Sequence, residues 1–469
     1  MNKSSCKKAL SELYSGEVLK FLTKILFKEN KKMKIGFAQE IITPPVGVDL
    51  AGYFNERLNL GMYDDLYVKS IVFEVNGKRC GIVVFDLLGY NQGLRDGVRN
   101  RSAEEFGQDF SDGLIITATH THTGPRIPKY ETEAENPLVK DIVDAAMRSL
   151  RRSVANLQDG VLEATSVYNN PYAFVRRYFM KNGTIVTNPG WRNPDIDRPE
   201  TEFDRTIEIL GVRQHGRLAA LICNIANHGD TIGGNFVSAD WYGRMTQAIQ
   251  YELKESIPVL ILDDASGDIN HFDFRQDIKQ TGYEEAVRIG RGYARIVLDA
   301  LKDLKPLEAD SVKVSNGIVT IPHRKLTEEE LAEANHILAT VPDIKKDGDF
   351  ESQDLANKVP AALRYFAQRA LDCHNKSVPS HSCRMTNVQI GKDLMFSTLP
   401  GESFNGITRA IRAKSPCKHT FVVELSQDVS GYVPMKECFA RGGYEVQPGI
   451  DTVAPEAADV IIEKAIELF

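Results

Sequence analysis

Long apolar runs are missing from this chain: none approaches the roughly 18–20 uninterrupted apolar residues that a membrane-spanning helix requires. A basic excess is missing too. With 57 Lys and Arg against 64 Asp and Glu, the formal charge is −7, and no basic cluster is available to neutralise phosphates, which excludes a nucleic-acid binder as a class. Cysteine is sparse and odd in number, seven in all (6, 80, 223, 373, 383, 417 and 438) with no CxxC pair. That excludes a disulfide scaffold and makes free, buried thiols the expectation, with the compartment left open. Nor is the composition biased, since 42% apolar and 26% charged residues are globular averages, unlike disordered, collagenous or coiled-coil chains. A chain of 469 residues outgrows one hydrophobic core, so two or three packed lobes are expected.

Residues 1–32 lack the unbroken apolar stretch of a secretory signal, because Lys7, Lys8, Glu12, Glu17, Lys20 and Lys24 interrupt every run. Leu10, Leu13, Val18, Leu22 and Ile25 instead recur at helical spacing. This segment reads as an amphipathic extension, docked on the surface or lying upstream of the true start at Met33. No signal peptide is evident, and a soluble protein is expected.

From Met33 onward, strands and helices alternate. Leu66 to Val75 and Cys80 to Asp86 read as strands joined by Asn76-Gly77, the strongest short hairpin signal. Helices are expected over roughly 91–106, 137–156 and 283–304. Buried strands are expected at 114–123, 218–226 and 258–264, later strands at 385–399 and 419–425, and helices at 403–413 and 455–468. Thr327-Glu328-Glu329-Glu330 opens a charged helical stretch, an inserted lobe over about 325–375 within a domain of 33–469. The alternation predicts an α/β fold of layered mixed sheets with flanking helices. Cys373-His374, with His381 and Cys383, has a superficial zinc-like look. Its ligand spacing is wrong for a tetrahedral site, and Ser377-Val378-Pro379-Ser380 makes the segment read as a polar loop.

Sites in such folds gather beyond the strand ends. His120 and His122 end the 114–123 strand two residues apart, so that both would project on one face. Read alone, the pair either presents two imidazoles to a metal or substrate or is simply hydrogen-bonded. His228, in Asn227-His228-Gly229-Asp230, ends another apolar strand, which favours a nitrogen-rich metal site. Glu402, in Leu399-Pro400-Gly401-Glu402, lies at a strand-turn-helix junction and is either a ligand or a first-turn helix acid.

Together these segments resemble the neutral, non-lysosomal ceramidase family, zinc amidases that hydrolyse the N-acyl bond of the sphingolipid ceramide. The resemblance runs from Ile35 to Tyr444. It rests on Gly36-Phe37-Ala38 with Ile42-Thr43-Pro44-Pro45, on Ala118-Thr119-His120-Thr121-His122-Thr123-Gly124-Pro125, and on Asn224 to His228 with Ser238-Ala239-Asp240. Gly267-Asp268-Ile269-Asn270, Pro400-Gly401-Glu402 and Gly431-Tyr432-Val433 with Tyr444 complete it. The resemblance implies a zinc ion held by His120, His228, Glu402 and Tyr432, with His122 beside it as proton donor or oxyanion stabiliser. Tyr444 would act near the scissile carbonyl, and Arg177 matches an arginine near the site. It also implies a small-molecule or lipid-like substrate; family members are often secreted or periplasmic.

Two departures bear on the chemistry. Ceramidases carry a serine where this chain has Asn270, and asparagine can orient a substrate or stabilise an oxyanion but cannot attack a carbonyl. They also continue into an immunoglobulin-like domain, whereas this sequence ends at Phe469. The expected activity is therefore zinc-dependent hydrolysis of an amide bond by metal-activated water, on ceramide or another acylated substrate. The alternatives are a non-catalytic binding protein for an acylated or sugar-bearing ligand, and a metal hydrolase of an ester.

Overall fold

The computed structural model describes residues 33–469 apart from 345, 347–349, 351–353, 356, 377, 429–430 and 451; the amphipathic extension over 1–32 lies outside the described residues. The chain builds two sheets that face each other, with helices on both outer sides.

The larger sheet has nine strands. Along it lie Val259–Asp263, Arg217–Ile225, Ile207–Gln214, Gln158–Val167, Met33–Ile41, Tyr67–Val75, Lys78–Phe85 and Leu114–Ala118, with short Lys305–Pro306 beside Gln158–Val167. Most neighbours are antiparallel, but Leu114–Ala118 runs parallel to Lys78–Phe85 and Val259–Asp263 parallel to Arg217–Ile225. The smaller sheet orders Val312–Pro322, Ser380–Ile390, Leu394–Thr398 and His419–Val423, the last pair parallel. Asn76 (φ 53°) and Gly77 (φ 79°) form the predicted hairpin turn, both left-handed, as a two-residue type I′ connection needs.

Alternation along the strands explains the layering. Ile35, Ile71, Phe73, Ile82, Val84 and Ile115 point to the sheet interface, where they meet Val388, Phe396, Phe421 and Val423. Their sequence neighbours Val72, Val83, Phe85, Leu114 and Ile116 face the helices Gln92–Phe106 and Pro137–Ala155. Strands buried on both faces must be apolar throughout, which is why these segments read as unbroken runs. The helix starts follow capping chemistry: Asn91 accepts from the Leu94 amide at 2.7 Å and Asn136 from the Leu138 amide at 2.8 Å, with Pro137 at the first helical position. Asp240–Leu253 and Tyr283–Ala300 cover the other half of the large sheet, and Asn405–Arg412 and Ala457–Glu467 cover the small one. Among the described residues, no helix is long and apolar enough to cross a membrane.

Three features differ from the expectation. The strand expected over 114–123 stops at Ala118, because His120 takes a left-handed backbone (φ 68°). The strand expected over 385–399 is a hairpin, Ser380–Ile390 with Leu394–Thr398, turning at Gly391 (φ 61°). The segment read as a polar loop is divided: Cys373 and His374 end the helix Pro360–Lys376, whereas His381 and Cys383 lie on a strand. The charged stretch forms the helices Glu328–Thr340, opened by a Thr327/Glu330 capping box, and Pro360–Lys376, which pack together between two paired strands.

The large sheet curls until its edge strands Leu114–Ala118 and Val259–Asp263 touch. A single parallel bridge, Thr121 to Gly229, joins the segments beyond the strand ends, and the His122 amide donates to the Gly229 carbonyl at 3.0 Å. The carboxyl ends of Leu114–Ala118, Arg217–Ile225, Val259–Asp263 and Leu394–Thr398 therefore lead into one crevice.

Candidate metal centre

Three imidazoles converge there. His120 Nε2 lies 3.2 Å from His228 Nε2 and 3.3 Å from His122 Nε2. Glu402 Oε2 approaches His120 Nε2 at 3.4 Å and His228 Nε2 at 3.6 Å. His120 and His122 come together through the left-handed turn at His120, not through the period-two alternation expected of a strand. Gly52 permits this packing: its φ is +103°, and a Cβ there would meet His122 Cβ at 2.7 Å. Gly267 does the same for the carboxylate, since a Cβ would sit 2.4 Å from the Glu402 carbonyl.

The outer nitrogens determine what the inner ones present. His120 Nδ1 lies 2.8 Å from the Leu88 carbonyl and His228 Nδ1 3.2 Å from the Ser266 carbonyl. Carbonyls only accept, so both Nδ1 atoms donate outward and both Nε2 atoms are left to face the crevice. Two ring nitrogens 3.2 Å apart, beside a buried Glu402 Oε2 that is too far from either for a well-formed hydrogen bond, make a cluster that a shared cation or proton would satisfy. The donor set of imidazoles and a carboxylate suits zinc, and His120, His122 and His228 have ring nitrogens close enough to share one ion. Burial and then the charge of His120 push the His228 and His122 pKa values down, keeping both imidazoles neutral. Burial alone would raise the Glu402 carboxyl, but His120, Arg176 and His122 together outweigh it and the net shift is downward.

Tyr432 pairs with Glu402 across a two-stranded parallel ladder, and its ring stands 6.0 Å edge-on from that of Tyr444. Burial pushes both phenols up, which keeps them protonated without an ion. Tyr444 also meets Phe366 edge-on at 6.3 Å, and Phe366 meets Phe54 at 5.9 Å. The helix Pro360–Lys376 thus contributes Phe366 to an aromatic wall beside Tyr444. Trp241, by contrast, is fully buried and donates its indole N–H to the His228 carbonyl at 3.0 Å.

The arginine that meets the histidines is Arg176, not Arg177. Arg176 Nη1 lies 3.5 Å from His228 Nε2, and its guanidinium stands 5.2 Å from the Tyr432 ring. Arg177 turns the other way, pairing with Glu200 and Glu445 at 2.5 and 2.6 Å and donating to the Gly442 carbonyl. Adjacent residues in extended chain face opposite sides, so the one-residue choice decides everything. Asn270 lies buried one strand over, its amide donating to Asn188 at 2.8 Å and its carbonyl accepting from the Phe272 amide. Ser266 donates to Glu424 at 2.5 Å, and its hydroxyl is committed to that buried carboxylate.

Sequence reasoning missed Asp230, Tyr53 and Glu445. His122 Nδ1 lies 3.4 Å from Asp230 Oδ1, and the Tyr53 hydroxyl donates to the same oxygen at 2.6 Å. Asp230 follows His228 by two residues and was the one available signal. Glu445 joins the two arginines, taking Arg176 Nε at 2.8 Å on its other oxygen.

No protein-family model matches the chain, and no curated protein matches it. Solved structures do. The crystal structure of neutral ceramidase from Pseudomonas aeruginosa superposes with a TM-score of 0.68 over 93% of this chain and 74% of that one, at 18% identity. A ceramidase complexed with C2 gives 0.67 over the same shares, at 16% identity. The chain has a neutral ceramidase-like α/β fold.

Proposed function

We propose that the chain is a zinc-dependent hydrolase of an amide (N-acyl) bond in a lipid-like substrate. The observation that carries this reading is the convergence of His120 Nε2, His228 Nε2 and a Glu402 carboxylate oxygen in one buried crevice. The fold it shares with structures named as ceramidases supports it. His120, His228, Glu402 and Tyr432 would hold the ion. When bound, zinc polarises a carbonyl and makes water a nucleophile near neutral pH, which suits a chain with Asn270 where a serine nucleophile would be needed.

The protein's own groups do the rest. His122, with Nδ1 3.4 Å from Asp230, would pass to the departing amine the proton that the attacking water gives up. The Tyr444 hydroxyl, kept protonated by burial, donates to the carbonyl oxygen as charge develops on it. Arg176, its charge balanced by Glu445, fixes the Tyr432 ring. The wall of Tyr444, Phe366 and Phe54 offers apolar surface to an acyl chain.

A panel of N-acyl amides, esters and glycolipids assayed with and without chelator tests this. Chelator-sensitive release of free acid from N-acyl amides is expected. Faster turnover of the matched esters would reassign the bond. Saturable binding with no turnover of any class would replace the enzyme by a binding protein, the reading that the non-nucleophilic Asn270 favours.

A further inference from the structure

A second cluster of metal-ligating side chains lies on the small sheet. His381 and Cys383 sit two residues apart on the strand Ser380–Ile390, opposite Ile321 and Val319 of the neighbouring strand, so both point to the same side. Asp428 approaches from the segment that follows the strand His419–Val423. The three residues each offer a donor atom within 4.8 Å of the others. His323, just past the end of Val312–Pro322, places Nε2 2.5 Å from His381 Nδ1. Nothing in the histidine-rich crevice uses these residues.

We propose that His381, Cys383 and Asp428 form a second metal site, selective for a borderline-soft divalent transition ion such as zinc. One nitrogen, one sulfur and one carboxylate oxygen match the ligand preferences of such an ion and not those of calcium or magnesium, which take oxygen alone. His323 acts from outside: accepting the His381 Nδ1 proton leaves Nε2 as a bare lone pair, the outer-partner arrangement typical of metal-bound histidine. His381 Nε2 is indeed buried without a hydrogen-bond partner. Cys383 is only 3% exposed, and burial pushes its thiol up to about 12, so binding displaces a proton from sulfur. Asp428 is partly open to solvent, and it gives the ion a way in. Its carbonyl also accepts from the Gly401 amide at 3.2 Å, next in sequence to Glu402. An ion here therefore braces the turn that presents the carboxylate of the first centre.

The test is cobalt titration of the full-length protein, read by metal analysis and by sulfur-to-cobalt charge-transfer absorption. The first centre has no sulfur donor, so that absorption reports the second site alone. Two equivalents of Co2+ and a thiolate band that Zn2+ erases are expected in the unaltered protein. His120→Ala is expected to lose one equivalent and keep the band. Cys383→Ser is expected to lose the band, and Asp428→Asn to weaken it with at least about tenfold poorer binding of that equivalent. Absence of the band at saturating Co2+ in the folded, unaltered protein overturns the site, as does a band that survives both Cys383→Ser and Asp428→Asn. Binding of only one equivalent by the unaltered protein, with the band intact, counts against the hydrolase reading and leaves this one standing.

Discussion

Two buried polar regions meet at adjacent residues, and they are built on opposite principles. Around Arg177, the guanidinium meets Glu445, Glu200 and the Gly442 carbonyl, with donors matched to acceptors. Around His228, two imidazole nitrogens and a carboxylate oxygen crowd together, and the neighbouring cation, Arg176, is already paired to Glu445. Removing one member of a matched buried pair costs free energy, because the other is left uncompensated. Unmatched groups cost free energy unless something else binds among them. The contrast is how the molecule separates scaffold from site, and each region breaks differently.

The largest effect is expected on the unmatched side. His228→Ala should abolish hydrolysis, by more than about 100-fold, since loss of a direct ligand exceeds the 10–100-fold typical of outer partners. Its thermal midpoint without metal should stay near that of the unaltered protein, because the substitution relieves the crowding of ring nitrogens 3.2 Å apart. Steady-state kinetics and calorimetry check both halves. The matched side inverts the pattern: Glu445→Gln strands two buried guanidinium groups and should cost about 3–5 kcal/mol of stability by denaturant titration.

Arg176→Lys and Arg177→Lys sharpen the comparison to one residue. The first should lower kcat by about tenfold with little change in thermal midpoint, because it acts on Tyr432 and His228. The second should lower the midpoint with kcat retained, because lysine cannot reproduce the forked contacts to Glu200 and Glu445. The smallest effect is a pH dependence. Burial raises the Glu445 carboxyl, but Arg176 and Arg177 outweigh it, so its folded pKa lies below the ordinary value of 4.5. The stability it contributes is complete above about 4.5 and is lost as pH falls through the lower folded value. Glu445→Gln should remove that acid-dependent component from a series of melting curves.

Much of this was legible beforehand. The hairpin at Asn76-Gly77, the doubly buried strands and the Asn-capped helices follow from local chemistry that tertiary packing did not override. His120, His122, His228 and Glu402 stood out because polar residues that end apolar strands have few structural reasons to be there. The turn at His120 was not legible, since its left-handed backbone is imposed by the bridge to Gly229 across the curled sheet. Neither was the choice between Arg176 and Arg177, which hangs on the phase of two very short strands. The partners Glu445, Asp230 and Tyr53 come from segments far apart in the chain, where spacing carries no information. His381 and Cys383 were read as loop because the strand that aligns them starts only at Ser380, directly after Pro379.

The most direct test is crystallographic: anomalous diffraction on both sides of the zinc absorption edge, with crystals grown in the presence of Zn2+. An edge-dependent peak within coordination distance of His120 Nε2, His228 Nε2 and the Glu402 carboxylate is the predicted result. A crevice with no such peak, its imidazoles turned to water or to Arg176, would contradict it.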